Sequence, residues 1–70
     1  MIVGVPAEVK PGENRVALTP DGARELVAHG HHVVVEHGAG AGSSIPDADF
    51  ASAGAALGTV DDAWGADLVL

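Results

Sequence analysis

Three consecutive valines, Val33 to Val35, constrain the fold of this chain more than any other feature. A strand with one solvated face alternates apolar and polar residues, and this run does not alternate. Both of its faces therefore have to be covered, which is typical of a parallel sheet. The run continues to Glu36, and comparable apolar runs lie at Ile2 to Pro6 and at Leu68 to Leu70. We predict that these segments are parallel strands of one sheet.

Helical patterns separate the predicted strands. Thr19 is a good N-cap, Pro20 suits the first helical position, and Gly30 ends the helix. A second helix is predicted from Pro46 to Gly54, and a short helical turn from Asp61 to Trp64. The residues expected on the inner helix faces are Ala23, Leu26, Val27, Phe50 and Ala53. The order β-α-β-α-α-β with right-handed crossovers predicts an α/β fold, a partial doubly wound (Rossmann-like) parallel sheet.

Composition excludes several classes of partner. Three basic residues stand against ten acidic ones, for a formal charge of −7, and no run of Lys or Arg occurs. We therefore expect no binding to nucleic acid or to anionic membranes. The absence of cysteine excludes disulfides and fits a reducing compartment. Because the sequence shows neither a basic leader nor a long apolar segment, we expect a cytoplasmic protein.

The length of the chain predicts part of a larger protein. A chain of 70 residues makes at most one small domain, and at this size only about 60% of the unfolded chain's surface becomes buried. The sequence also stops within the apolar run Leu68 to Leu70. We therefore expect an incomplete N-terminal domain.

Arg15 is the candidate binding residue. It lies in the predicted connection from Ala7 to Leu18. This connection and the one from His37 to Ile45 are longer than most strand-to-helix loops, and both leave the carboxyl edge of the sheet. Ligands of open α/β sheets bind at that edge. A guanidinium held there could grip a carboxylate through two parallel hydrogen bonds. The alternative is that Arg15 forms an ion pair with Glu8 or Glu13 and only stabilises the loop.

The remaining basic residues are weaker candidates, since Lys10 adjoins the flexible Pro-Gly tip and Arg24 lies on the outward side of the first helix.

The glycine-rich segment Gly38 to Ser43 does not match a dinucleotide fingerprint. Its third glycine follows the second by two residues instead of three, and Pro46 delays the helix whose N-terminus would face a pyrophosphate. A closely packed or flexible loop is expected instead.

Other conspicuous side chains have structural explanations. The histidines His29, His31, His32 and His37 form no convergent ligand set, so no metal is expected. The carboxylates Asp47, Asp49, Asp61 and Asp62 fall at predicted helix starts, where capping explains them. Trp64 is interpreted as a core or inter-domain contact.

Three motifs cover the first half of the chain. They are Gly4-Val5-Pro6-x-Glu8, Gly12-Glu13-x-Arg15-Val16-Ala17-Leu18-Thr19-Pro20 and Gly30-His31-x-Val33-Val34-Val35-Glu36-x-Gly38-Ala39-Gly40. Together they closely resemble the amino-terminal signature of the alanine dehydrogenases, and the same pattern occurs in the α subunit of proton-translocating nicotinamide nucleotide transhydrogenase. The resemblance continues through Trp64.

The resemblance implies an NAD-dependent enzyme that converts L-alanine and water into pyruvate and ammonia and assembles as a homohexamer. In that family the arginine matching Arg15 binds the carboxylate of pyruvate or L-alanine. A lysine that shares this task, the catalytic histidine and aspartate, and the NAD-binding domain are expected after Leu70. Residues 1–70 are thus predicted to be a truncated N-terminal part of the substrate-binding domain, inactive alone, with Arg15 as its one site residue.

Three alternatives stay open. The transhydrogenase α subunit shares the fold but passes hydride between two nucleotides, and a saccharopine-forming reductase has a related front end. The third is a non-catalytic α/β interaction module, against which the exposed edge at Leu68 to Leu70 argues because unpaired edges promote aggregation.

Overall fold

Helices and strands alternate throughout the part of the chain that the structure, a computed structural model, describes: residues 1–7 and 16–70. In chain order the elements are β1 (Ile2–Val5), α1 (Pro20–Ala28), β2 (His32–Glu36), a 3₁₀ turn (Ala41–Ser43), α2 (Asp47–Ser52), β3 (Ala56–Gly58), α3 (Val60–Trp64) and β4 (Leu68–Val69). Within these described residues the strands form one parallel sheet in the order β3-β2-β1-β4. The predicted α/β fold with a parallel sheet is confirmed.

The predicted element order was wrong at one place, because β3 lies between α2 and α3. Its sequence, Ala-Leu-Gly, contains no β-branched residue and is only three residues long. It forms a strand because Leu57 pairs beside Val35 at the edge of the sheet. Tertiary pairing therefore decides a strand that local preference does not indicate.

The connections cover both faces of the sheet. The chain moves outward from β1 to β2 to β3 and then crosses back to place β4 on the far side of β1. Right-handed crossovers in opposite directions put their helices on opposite faces. Accordingly α1 and α2 contact each other, while α3 contacts β1 and β2. The predicted doubly wound arrangement follows from this order.

The main core lies between the sheet and the α1–α2 layer. Its buried members are Val3, Val5, Ala23, Val33, Val35, Ala39, Phe50, Ala53 and Ala55. Phe50 is fully buried and, with Val5 and Val35, is among the largest such side chains. Leu26 and Val27 pack against this cluster, so the predicted inner faces of both helices are confirmed.

Both longer helices end in the same way. The amide of Gly30 donates to Val27 O, at 3.0 Å, and that of His31 to Leu26 O, also at 3.0 Å. Gly54 and Ala55 repeat this pair of bonds on α2, and both glycines have positive φ. This Schellman arrangement satisfies carbonyl groups that the helix leaves unpaired and turns the chain toward the next strand. The predicted glycine ends are confirmed.

Candidate functional site

The carboxyl edge of the sheet between β1 and β4 is the candidate site. Beyond β1 the chain winds toward β2, whereas β4 lies on the opposite side, so the direction of winding changes between these two strands. Ligands of open α/β sheets bind outside the carboxyl ends of the strands at such a switch point. Pro6 and Ala7 follow β1 there, and residues 8–15 come next in the sequence. Arg15, with its alternative partners Glu8 and Glu13, lies outside the described residues, and its role stays a prediction.

The chain on either side of residues 8–15 is held to the domain. Ala7, which precedes these residues in the sequence, and Val16 and Leu18, which follow them, pack against the main core. The amide of Ala7 also donates a 2.9 Å hydrogen bond to Oε1 of Glu36, the last residue of β2. The chain is therefore anchored to the domain both before and after the segment that carries Arg15 in the sequence.

The glycine-rich loop after β2 is organised by Asp47. Asp47 Oδ1 accepts a 2.9 Å hydrogen bond from the amide of Gly38, and Oδ2 lies 3.5 Å from His37 Nδ1. The expected cap is thus wrong for this residue, because Pro46 occupies the N-cap position and the carboxylate turns toward the loop instead. A Cβ on Gly40 would lie 2.7 Å from Ile45 O. This contact fits the predicted close packing of the loop.

The described part of the carboxyl edge carries negative charge. Glu36 and Asp47 lie there, whereas Arg24, the lone Lys or Arg among residues 1–7 and 16–70, is on α1 and pairs with Asp21 at 3.1 Å. Both of those side chains are largely exposed, as predicted for the outward side of the helix. An anionic substrate at this edge would thus need a cation from residues 8–15 or from elsewhere in a longer protein.

The histidines are distributed over the domain. His37 lies at the carboxyl edge, whereas His31 and His32 lie at the opposite edge, beside a groove of about 350 Å³. His29 is the C-cap residue of α1, and its Nδ1 is 2.8 Å from Glu25 O. Among the residues described, no group of three or more His, Cys, Asp or Glu side chains could hold a metal ion. Nor does any helix in this part of the chain have the length and apolar character needed to cross a membrane.

The α3 side of the molecule corrects one interpretation and confirms another. Trp64 is 62% exposed, so it is not a core residue, and an inter-domain contact stays a prediction. Asp62 forms a capping box with Thr59: the Thr59 amide donates to Asp62 Oδ2 at 3.0 Å, and the Asp62 amide donates to Thr59 Oγ1 at 3.2 Å. The bond from the Thr59 amide, aided by the Thr59 side chain, lowers the pKa of the Asp62 carboxyl.

Comparison with protein families identifies this architecture. The model of the alanine dehydrogenase/PNT N-terminal domain matches residues 4–70. The chain belongs to this family. It is 56% identical over 72 aligned positions to an alanine dehydrogenase of Mycobacterium tuberculosis, covering 100% of this chain and 19% of that protein. The chain thus spans about a fifth of the length of this curated relative.

Solved structures agree with this assignment. An L-alanine dehydrogenase superimposes with a TM-score of 0.98 at 42% identity, over 100% of this chain and 20% of that one. A transhydrogenase from Sinorhizobium meliloti superimposes with a TM-score of 0.92 at 45% identity, over 99% of this chain and 21% of that one. Both names in the predicted resemblance are therefore found among the relatives.

The sequence does not predict the hydrogen bonds that Glu36 and Asp47 form at this edge. Each carboxylate accepts a backbone amide of a segment distant in sequence, 29 residues away for Glu36 and nine for Asp47. The available signal for Glu36 was its position, because it is a charged residue that directly follows three buried or half-buried valines. The available signal for Asp47 was the proline before it, which supplies the N-cap.

Proposed function

We propose that residues 1–70 are the N-terminal part of the substrate-binding domain of an NAD-dependent alanine dehydrogenase. This cytoplasmic enzyme, a homohexamer, would interconvert L-alanine with pyruvate and ammonia, and its NAD would be bound by a domain beyond this segment. Arg15 would hold the substrate carboxylate with two parallel hydrogen bonds. The segment would contribute substrate binding, and it would be inactive alone because the hydride and proton transfers need groups outside it.

The observation that carries this proposal is the family membership of the chain together with the switch point at the carboxyl end of β1. In the sequence, residues 8–15 lie between Ala7 and Val16, and both of these pack against the main core. The described part of that edge offers carboxylates, so a carboxylate substrate needs a cation from this segment or beyond. Of the two cations in residues 8–15, Arg15 directly precedes the anchored Val16, whereas Lys10 adjoins Pro11 and Gly12. These positions favour Arg15.

The test is Arg15→Lys in the full-length protein. Lysine keeps the positive charge but loses the planar fork, so we expect the KM for pyruvate to rise roughly 10- to 100-fold, the range for loss of a hydrogen bond to a charged group. The KM for NADH should stay within about twofold, since the cofactor has a separate domain in this proposal. An unchanged KM for pyruvate would reject the arginine clamp.

The transhydrogenase α subunit is the second candidate because a transhydrogenase shares the fold at 45% identity. An alanine dehydrogenase oxidises NADH only when pyruvate and ammonium are both supplied. A transhydrogenase instead passes hydride from one nicotinamide nucleotide to another without either compound. Measuring both reactions with the full-length protein separates the two candidates.

A further inference from the structure

The chain just after β1 is bonded to β2 through a side chain, whereas β1 itself pairs with β2 through the backbone. Val5 lies beside Val35 in the register of β1 and β2, so Pro6 follows at the level of Glu36. Proline has no amide hydrogen to donate to a neighbouring strand. The next amide, that of Ala7, donates to the Glu36 side chain at 2.9 Å. The Glu36 carboxylate therefore accepts the first amide beyond the point where the backbone hydrogen bonds between the two strands end.

This contact is a strong one for its position. It is partly buried, and hydrogen bonds to a carboxylate are in general shorter and stronger than those between neutral groups. It also joins two neighbouring strands through residues 29 positions apart in sequence. Loss of the carboxylate would leave the Ala7 amide, in a partly buried place, without its protein acceptor.

The same contact holds the chain at Ala7, which directly precedes residues 8–15 in the sequence. Val16 and Leu18, which follow those residues, pack against the main core. A two-bond clamp is sensitive to its placement, because displacement by about 1 Å can cost roughly 100-fold in rate. We propose that Glu36 is a positioning residue for the Arg15 segment, acting through the Ala7 amide and not by touching substrate. This inference rests on the proposed role of Arg15.

The chain offers a matched control at the other end of the same strand. There the Ile2 amide donates to Asp67 Oδ2, also at 2.9 Å, at the edge away from the candidate site. Glu36→Ala and Asp67→Ala each remove a carboxylate that holds one end of β1. The Ala7–Glu36 bond is partly buried and the Ile2–Asp67 bond is exposed, so the two variants can differ in stability, but a purely structural role predicts no change specific to pyruvate in either. A positioning role predicts a change in pyruvate binding for Glu36→Ala alone.

The experiment measures KM for pyruvate, KM for NADH and kcat in the full-length protein. We expect Glu36→Ala to raise the KM for pyruvate about 10-fold, the size expected for one lost charge-assisted hydrogen bond, with the KM for NADH unchanged within about twofold. Glu36→Gln keeps an oxygen acceptor for the Ala7 amide and should restore the KM for pyruvate to within about threefold of the wild type. Asp67→Ala should leave both KM values within about twofold.

The double variant Arg15→Lys with Glu36→Ala tests the route. If Glu36 acts through Arg15, its effect should largely disappear in the Arg15→Lys background; multiplied effects would overturn the inference. Two results would overturn the role of Glu36 alone. One is an equal change in the KM for pyruvate in Glu36→Ala and Asp67→Ala. The other is a KM for pyruvate that rises in Arg15→Lys but stays unchanged in Glu36→Ala. A KM for pyruvate unchanged in Arg15→Lys would instead overturn the proposed clamp.

Discussion

The two faces of the sheet are built on different principles. On the α1–α2 face, large side chains fill the space, with Phe50 fully buried among valines and alanines. On the α3 face, the backbone itself comes close: a Cβ on Gly4 would collide with the Ala63 carbonyl oxygen. The first face gains stability from buried area, whereas the second depends on the absence of side chains. The two faces should therefore respond in opposite ways to a change of volume.

The largest expected effect is on the α1–α2 face. Phe50→Ala removes most of a fully buried aromatic side chain and leaves a cavity, which should cost about 3 to 5 kcal/mol of stability. Thermal unfolding of the full-length protein measures the change. Phe50→Leu, which retains most of the volume, serves as the control and should lose clearly less. Equal losses in the two variants would show that this face does not depend on filled volume.

A smaller effect is expected from adding volume on the α3 face. Gly4→Ala adds one methyl group that has to displace the α3 backbone near Ala63 and the Ala66 side chain, and overpacking of this kind typically costs about 1 to 3 kcal/mol. Val3→Ala, next to it, removes volume from the other face and is the matched comparison. Thermal unfolding should show that both changes destabilise, for opposite reasons. An unaffected Gly4→Ala protein would mean that α3 moves freely over the sheet.

The smallest expected effect concerns the exposed start of α3. The pKa of Asp62 is lowered in the folded protein by the bond from the Thr59 amide, so its carboxylate stabilises the fold at pH values above the unfolded pKa. This contribution is lost as pH falls through the folded pKa. We expect Asp62→Asn to lower the unfolding temperature slightly at pH 7 and to match the wild type once the carboxyl is protonated.

Asp61→Asn is the control for this last prediction. Asp61 also lies in the first turn of α3, but outside the capping box. It should give a smaller decrease at pH 7 than Asp62→Asn. A difference between Asp62→Asn and the wild type that does not change with pH would show that the carboxylate charge has no part in the capping bond.

The helix ends were the easiest features to predict. Thr19 Oγ1 accepts the Gly22 amide, Pro20 opens α1, and the Gly30 amide donates to Val27 O, so each acts on close sequence neighbours in the expected role. Phe50 and Ala53 were likewise predictable because their spacing defines one helix face. The strand at Ala56–Gly58 was not, since its pairing partner β2 lies 20 or more residues earlier in the chain.

The candidate site divides along the same line. The prediction that Arg15 lies at the carboxyl edge follows from the order of strand, loop and helix, whereas the contacts of the acidic side chains that hold the neighbouring backbone do not. Asp47 has the pattern of a helix cap, yet its carboxylate accepts the Gly38 amide because the loop after β2 returns past the start of α2. Exposed Trp64 shows the reverse case, an apolar residue that the described fold does not bury.

The sequence by itself determined the parallel α/β class, the helix ends and the family, because these depend on periodicity, on local backbone bonds and on motifs of adjacent residues. Only the tertiary structure decided strand β3, the close approach of Gly4 to α3 and the partners of Glu36 and Asp47. Each of these joins segments that are distant in the chain, and a side chain or an amide acquires such a partner only when the sheet brings the two together.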